Sequence, residues 1–432
     1  MFNGILLCLL LFFIVGGCIQ KCKFFKFAYI PKRWIWTAFF IKLISSFLLT
    51  SIYTFHYKDR SRADIYKYYD DAVVLKKAHN GKPDLFLETF LPEKWQTQAF
   101  QKSLIQSLHW DVSDSFLVND NRTLIRFNYV LLHLSGGFYL FHLLVFCILS
   151  FLGNIALFRF FQLASSLPPK VIFIIIFGIP SFIFWGSALL KESLLLFNLG
   201  FLLFFSQKIF VKKQTKYLPL FLLFILFSIS VKTYVFLAII FPLTYYLISQ
   251  KNNLNFISRK IAYALLGVLF ISLLLSYKDF FINSIRNKLI DFKSIAEQSN
   301  AGSQIYMPNF EDFNEAIQLI PMALYNVLIH PIFPPKWNLL STIVAIEHLV
   351  LIGILFLPLI AFKKQPKQIS FFIFCISFTL ILSIIIGLST PILGAIVRYK
   401  VALLPFYVIA LITFVDLNKI PLLKKLNQNE PY

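Results

Sequence analysis

The sequence predicts an all-α polytopic membrane protein with about eleven transmembrane helices. Apolar stretches of about 16–25 residues recur between Phe2 and Val415, and a helix of that length crosses a hydrocarbon core. Of the 432 residues, 58% are hydrophobic and only 14% are charged. A soluble domain carries roughly 25% charged residues. We therefore expect one transmembrane domain over residues 1–432.

The apolar stretches are predicted to form eleven spans with short connections. The first is interpreted as a retained span and not as a signal peptide, because its charges follow the apolar run. In chain order the predicted spans are 3–19, 34–55, 137–161, 170–188, 189–207, 217–232, 233–249, 261–277, 340–362, 368–388 and 399–416.

The orientation follows from the basic connections. Lys and Arg cluster in the short connections near residues 21–33, 208–216, 251–260, 363–367 and 419–425, which alternation of the spans puts on one side. The positive-inside rule makes that side cytoplasmic, with the N-terminus outside and the C-terminus inside. We expect a bacterial inner membrane. These loops also explain the net charge of +21, so we expect no nucleic-acid partner.

Two long segments, about 56–127 and 278–338, are predicted on the opposite, extracytoplasmic side. Apolar residues recur at helical spacing over 278–297, which predicts an amphipathic helix on the membrane surface. A second apolar helix is predicted over 314–329 and ends at His330-Pro331. We therefore expect extracytoplasmic helices to cover this face.

An acidic and aromatic cluster follows the second span. Asp64 precedes three tyrosines there, and Asp70 and Asp71 follow them. A carboxylate at the mouth of a lipid-lined cleft can act as a general base on a sugar hydroxyl. The same groups could hold a divalent cation. The structural alternative is a solvated interfacial loop with a tyrosine belt.

Charged residues also interrupt the apolar runs on this side. Lys191 and Glu192 lie between two apolar helices, where charges are costly and normally pair or face a cavity. Lys191 could contact a phosphate, or the two residues could cap a tight hairpin. Lys232 is predicted in the next outer turn, 230–234. Glu347 and His348 form a further intramembrane pair, for which a structural histidine is the alternative.

The last constellation is Arg398, Tyr399 and Lys400, before the last span. Cations on the outer face oppose the positive-inside rule, and they oppose the helix dipole at a helix N-terminus. An anionic ligand such as a polyprenyl phosphate or diphosphate would resolve both conflicts.

The chain resembles the GT-C superfamily of integral membrane glycosyltransferases in three features. It has an aspartate in the first long outer loop, many spans, and a segment from Arg398-Tyr399 to Pro405 that opens the last span. The chain also resembles a group of Bacteroidetes-type polytopic membrane proteins, through the Asp64 loop, the 180–192 hairpin, the 334–348 stretch and the 398–405 segment. The resemblance implies a polyprenyl-phosphate sugar donor and reaction on the extracytoplasmic face. It also implies a catalytic or acceptor-positioning role for Asp64, or for Asp70 or Asp71 in its place, with Arg398 near the donor phosphate.

The chain departs from that superfamily in its first outer loop. The usual Asp-Glu or Glu-Asp dipeptide is absent there, and the isolated Asp64 and the Asp70-Asp71 pair replace it. We expect a glycosyltransferase acting on a glycan, lipid or protein acceptor, with no cofactor assigned and a divalent cation left open. The alternatives are an O-antigen or exopolysaccharide polymerase, and a non-enzymatic transporter or flippase.

Overall fold

The computed structural model describes residues 2–56, 60, 63–91, 95–110, 120–250, 256–298, 302–363, 368–421, 424 and 426. Within these ranges all regular elements are helices, and extended backbone forms only isolated bridges. Parts of two predicted cytoplasmic loops, 251–255 and 364–367, lie outside the described residues.

The α-helices are, in chain order, α1 (Phe2–Lys21), α2 (Lys32–His56), α3 (Asp64–Ala78), α4 (Pro83–Glu88), α5 (Gln98–Ser103), α6 (Asp120–Ser135), α7 (Tyr139–Ala164), α8 (Pro169–Gly178), α9 (Pro180–Trp185), α10 (Lys191–Phe210), α11 (Leu218–Ser249), α12 (Phe256–Ser276), α13 (Lys278–Gln298), α14 (Phe313–Gln318), α15 (Ile320–Leu328), α16 (Leu339–Ile360), α17 (Ile369–Ser389), α18 (Leu393–Tyr399) and α19 (Leu404–Thr413).

The helices are those of a membrane protein. Among the described residues, seven are long and apolar enough to cross a membrane, or up to nine if each of two bent pairs is one span. Large apolar side chains such as Phe13, Ile44 and Leu265 face outward and are more than half exposed. Surface of this kind on successive helices requires an apolar solvent. The predicted class, a helical membrane protein, is confirmed.

The centre of the bundle is the contact between α7 and α10. A Cβ atom on Gly200 would overlap the backbone carbonyl of Gly153, so the two helices meet backbone to backbone. Small residues permit such close approach in membranes, where packing replaces the hydrophobic effect as the main attraction between helices. This contact fixes α10, which carries Lys191 and Glu192 in its first turn.

Helix α11 contains two oppositely directed parts joined at Lys232, which alone has non-helical φ and ψ (−154° and 87°). Lys232 lies against Glu192 at the start of α10. Tyr217, before α11, stacks on Phe205 with centroids 5.6 Å apart, and Tyr246, near the end of α11, lies beside Gln207. Both ends of α11 therefore lie at the far end of α10. The turn predicted over 230–234 consists of the single non-helical residue Lys232.

The predicted span 170–188 consists of two short helices, α8 and α9, separated at Ile179 because Pro180 begins a new helix. Phe173 packs on Phe158, and Phe177 packs on Phe151, so α8 runs antiparallel to α7.

Two helix pairs are sharply bent, each by 64°. One joins α12 to α13, which is the helix predicted over 278–297. The other joins α18 to α19 through a short 3₁₀ turn over Lys400–Ala402, where the sequence predicted one continuous span over 399–416. The predicted helix over 314–329 is present as α14 and α15.

Candidate functional site

Four helices bring charged side chains to one end of the bundle. Asp64 is the first residue of α3, Glu192 lies in the first turn of α10, Lys232 is the break in α11, and Arg398 lies in α18. Each stands where a helix begins, breaks or bends, because short polar interruptions in an apolar chain occur between helical segments. The structure thus collects four of the predicted site residues in one place.

Arg398 is the central residue. Its Nη1 contacts Asp64 Oδ2, and its Nε lies 2.9 Å from Glu192 Oε2. Lys232 Nζ donates to the other Glu192 oxygen at 2.8 Å, and Lys67 Nζ contacts the other Asp64 oxygen. We call Asp64, Lys67, Glu192, Lys232 and Arg398 the charge network. Its charges alternate in sign, and it carries one more cation than carboxylate.

The charge network has a buried inner part and an accessible outer part. The side chains of Glu192 and Lys232 are 0% and 3% exposed. Arg398 is 9% exposed, whereas Asp64 is 25% and Lys67 is 21% exposed. An ion entering from the surface would therefore meet Asp64 and Lys67 before the buried pair.

Asp64 is held in its ionised form. Burial alone would raise the pKa of its carboxyl, but the charges of Arg398 and Lys67 and the hydrogen bonds they donate hold that pKa well below its ordinary value. A carboxylate in this state is a poor base. It becomes a better base when one of the two cations takes another partner.

The rings of Tyr399 and Tyr68 lie beside the lysines of the charge network. Lys232 Nζ lies 4.3 Å from the ring centroid of Tyr399. Lys67 Nζ and Lys191 Nζ lie 5.2 Å and 5.3 Å from that of Tyr68, distances at which cation–π attraction operates. Burial, followed by the charge of Asp64, raises the pKa of Tyr68 well above its ordinary value, so its hydroxyl stays protonated and can donate.

Lys191 adjoins the charge network without an ion pair to it. Its Nζ lies 2.6 Å from Asp120 Oδ1 and donates to Asn121 Oδ1 at 2.7 Å. The ring of Tyr68 lies next to both Lys191 and Lys67. The predicted set of Asp64, Lys191 and Arg398 is thus brought into one neighbourhood, but Lys191 has its own counter-ion.

The structure does not bring Asp70 and Asp71 to this site. Asp70 forms a two-point ion pair with Arg60, with both hydrogen bonds 2.8 Å long, at the surface. Asp71 is buried and accepts hydrogen bonds from Ser107 Oγ and from the backbone N–H groups of Leu108 and His109. Asp70 points in a different direction from Asp64 on α3. Asp71 lies on nearly the same face as Asp64, but seven residues, about 10 Å, further along the helix, where residues 107–109 meet it.

Glu347, His348 and Lys400 form a second polar centre. Lys400 Nζ contacts His348 Nε2 and donates to the carbonyl of Val327 at 2.6 Å. Glu347 Oε2 accepts from the backbone N–H of Ser181 at 2.7 Å. Arg398 and Lys400 were predicted to serve one anionic ligand. Two positions apart, they have separate partners, because the helix turns into a 3₁₀ turn between them.

The sequence interpretation missed three participants, namely Lys67, Asp120 and Asn121. Lys67 follows Asp64 by three positions, and opposite charges at that spacing on a helix predict a contact. Asp120 and Asn121 had no such signal, because their partner Lys191 is 70 positions away.

The charge network combines groups that can bind an anion with a carboxylate that can receive a proton. In the described part of the chain, no three His, Cys, Asp or Glu side chains are grouped to hold a metal ion. Comparison of the chain with protein-family models, with curated proteins and with solved structures finds no match.

Proposed function

We propose that this chain is a GT-C-type glycosyltransferase that moves a sugar from a polyprenyl-phosphate donor to an extracytoplasmic glycan, lipid or protein acceptor. The observation that carries the proposal is the position of Arg398, which contacts Asp64 and Glu192 at once. An arginine is the residue best suited to grip a phosphate, and here it adjoins a partly exposed carboxylate beside membrane helices.

The proposal includes eleven crossings of the membrane by the chain, and the helix arrangement supports this number. The two parts of α11 each run the length of α10, and α8 with α9 runs beside α7. If the two parts of α11 and the α8–α9 pair are each counted as a crossing, and each bent pair as one, the number of crossings is eleven; this count is part of the proposal. The charge network lies at the end of α10 opposite to the basic connection 208–216. By the positive-inside rule, the network faces the extracytoplasmic side.

The proposed reaction uses four side chains: Arg398, Lys67, Asp64 and Tyr68. The acceptor hydroxyl oxygen attacks the anomeric carbon, and the bond between that carbon and the phosphate oxygen breaks. The phosphate leaves with the bonding electron pair, and Arg398 and Lys67 stabilise its added negative charge. The hydroxyl proton passes to the Asp64 carboxylate. Tyr68, which keeps its proton, can donate a hydrogen bond to the departing group.

The test is release of lipid phosphate from a panel of polyprenyl-phosphate sugars by the purified full chain in proteoliposomes, with membrane glycans and lipids as acceptors. We expect turnover with at least one donor and a loss of about 100-fold or more in Asp64→Asn. Asp70→Asn is the matched control, because Asp70 is a carboxylate on the same helix outside the network. Full activity of Asp64→Asn would remove Asp64 from the mechanism.

A second candidate is a polysaccharide polymerase acting on diphosphate-linked glycans. The observation that favours it is the engagement of both Asp64 oxygens by cations, as in a site where cations act without a base. A polymerase should lose activity in Arg398→Ala but keep it in Asp64→Asn. If neither chemistry is found, a flux assay in the same proteoliposomes tests transport.

A further inference from the structure

We propose that the Asp64 carboxylate occupies the place that the donor phosphate takes at Arg398, and that the arriving phosphate displaces it. The inference rests on the proposed function and adds a binding order to it. Asp64 becomes available to the acceptor only after the donor has bound, so the donor binds first.

The first support is the asymmetry of Arg398. On one side it meets Glu192, which is fully buried and also holds Lys232. On the other side it meets Asp64, which is partly exposed at the first turn of its helix. Exchange of the buried partner would leave Lys232 without its counter-ion, at a high cost. Only the Asp64 side can exchange its anion with the surroundings.

The second support is the way Asp64 is held. One carboxylate oxygen contacts Arg398 and the other contacts Lys67. A phosphate also offers two oxygens on one central atom, so two cations that grip a carboxylate in this manner can grip a phosphate. Lys67 remains on the first turn of α3 after the exchange and supplies the second contact.

The third support is charge balance. A polyprenyl-phosphate sugar is a phosphodiester with one negative charge, the same charge as the Asp64 carboxylate it replaces. The charge facing Arg398 is then unchanged, and the buried Glu192–Lys232 pair is not disturbed. A diphosphate-linked donor would bring additional negative charge. The exchange therefore favours a monophosphate-linked donor.

The experiment measures binding without transfer. Full-length protein in detergent is titrated with farnesyl phosphate and, separately, with inorganic phosphate by isothermal calorimetry. Asp64→Asn removes the competing charge, so we expect it to bind farnesyl phosphate about 10-fold more tightly than wild type. Asp70→Asn should bind as wild type does, and Arg398→Ala should lose binding.

The two probes separate recognition of the phosphate from recognition of the lipid. Tighter binding of either probe by Asp64→Asn supports the exchange, and tighter binding of inorganic phosphate shows that the phosphate alone suffices. Unchanged or weaker binding of both probes overturns it. Size-exclusion chromatography checks folding, and Asp64→Ser carries the same expectation if Asp64→Asn aggregates.

Failure of the exchange and failure of the proposed function give different results. If wild type transfers sugar while Asp64→Asn fails to bind more tightly, the exchange is wrong and the transferase stands. If Asp64→Asn binds more tightly but no donor is turned over by wild type, the phosphate site stands and the transferase is wrong.

Discussion

Arg398 and Asp64 are 334 positions apart in the sequence and form an ion pair in the structure. The pair joins α18, near the end of the chain, to the first turn of α3, and Arg398 links it to Glu192 of α10. One guanidinium thus connects three helices. The extended guanidinium makes this possible, because its Nη1 contacts Asp64 while its Nε lies within ion-pair distance of Glu192.

Arg398→Lys should therefore abolish most transfer activity, by about 100-fold, because a single ammonium cannot serve both carboxylates. Turnover of the best donor in proteoliposomes measures this. Arg286→Lys is the matched control, because Arg286 pairs at the surface with Glu311, which is 78% exposed, and such pairs contribute little. Equal activity of the two variants would contradict the bridging role.

Glu192→Gln should destabilise the protein more than Lys232→Met. Glu192 is the counter-ion of both Lys232 and Arg398, so its loss leaves two cations short of a partner, and breaking one buried pair already costs about 3–5 kcal/mol. Thermal unfolding in detergent ranks the variants. The opposite ranking would show that Glu192 does not hold both cations.

Asp71→Asn should weaken the outer segment without changing the chemistry. The carboxylate accepts three hydrogen bonds from residues 107–109, and an amide can accept them only in part. We expect faster proteolysis between residues 95 and 110, with donor turnover within about 2-fold of wild type. A loss of turnover as large as that of Asp64→Asn, with unchanged proteolysis, would return Asp71 to the active site.

Gly200→Ala should destabilise the bundle, because the new methyl group meets the backbone of Gly153 and the two helices must separate. Gly267→Ala in α12 is the control. A Cβ atom there meets nothing within 4 Å, and alanine is more favourable than glycine inside a helix by about 1 kcal/mol. Melting temperatures of the two variants should therefore move in opposite directions; a shared direction would contradict the close packing.

The proposed transferase should have different pH profiles before and after its donor binds. In the free enzyme, burial raises the pKa of Asp64 less than Arg398 and Lys67 lower it, so the carboxylate stays ionised as the pH falls. Between about pH 5 and pH 8, kcat/KM for the donor should then have no acid limb from Asp64, because the donor binds first and this ratio reports the donor-free protein. Once the phosphate holds Arg398, the pKa of Asp64 rises, and kcat should fall on the acid side.

Asp70→Asn should leave both profiles unchanged. An acid limb of the same pKa in kcat and in kcat/KM would mean that Asp64 does not change partners during the reaction.

Local sequence predicted the elements that depend on local patterns. Apolar length identified α1, α2, α7 and α10, and helical spacing of apolar residues identified α13. The chain reversal at Lys232 was predicted as a turn, since a charged residue interrupts an apolar run there. The break at Ile179 and the bend after Tyr399 were missed, because hydropathy averages over short helical interruptions.

The length of the apolar runs thus determined that this is a helical membrane protein. The isolated charges between those runs showed which residues are costly to place inside a membrane. Tertiary structure decided which of those charges meet. Asp64 entered the charge network, whereas Asp70 points in another direction and Asp71 lies about 10 Å further along the same helix. Arg398 and Lys400 took separate partners, because a helix turns side chains two positions apart in different directions. Partners 40 to 334 positions apart leave no local signal in the chain, because helix packing alone brings them together.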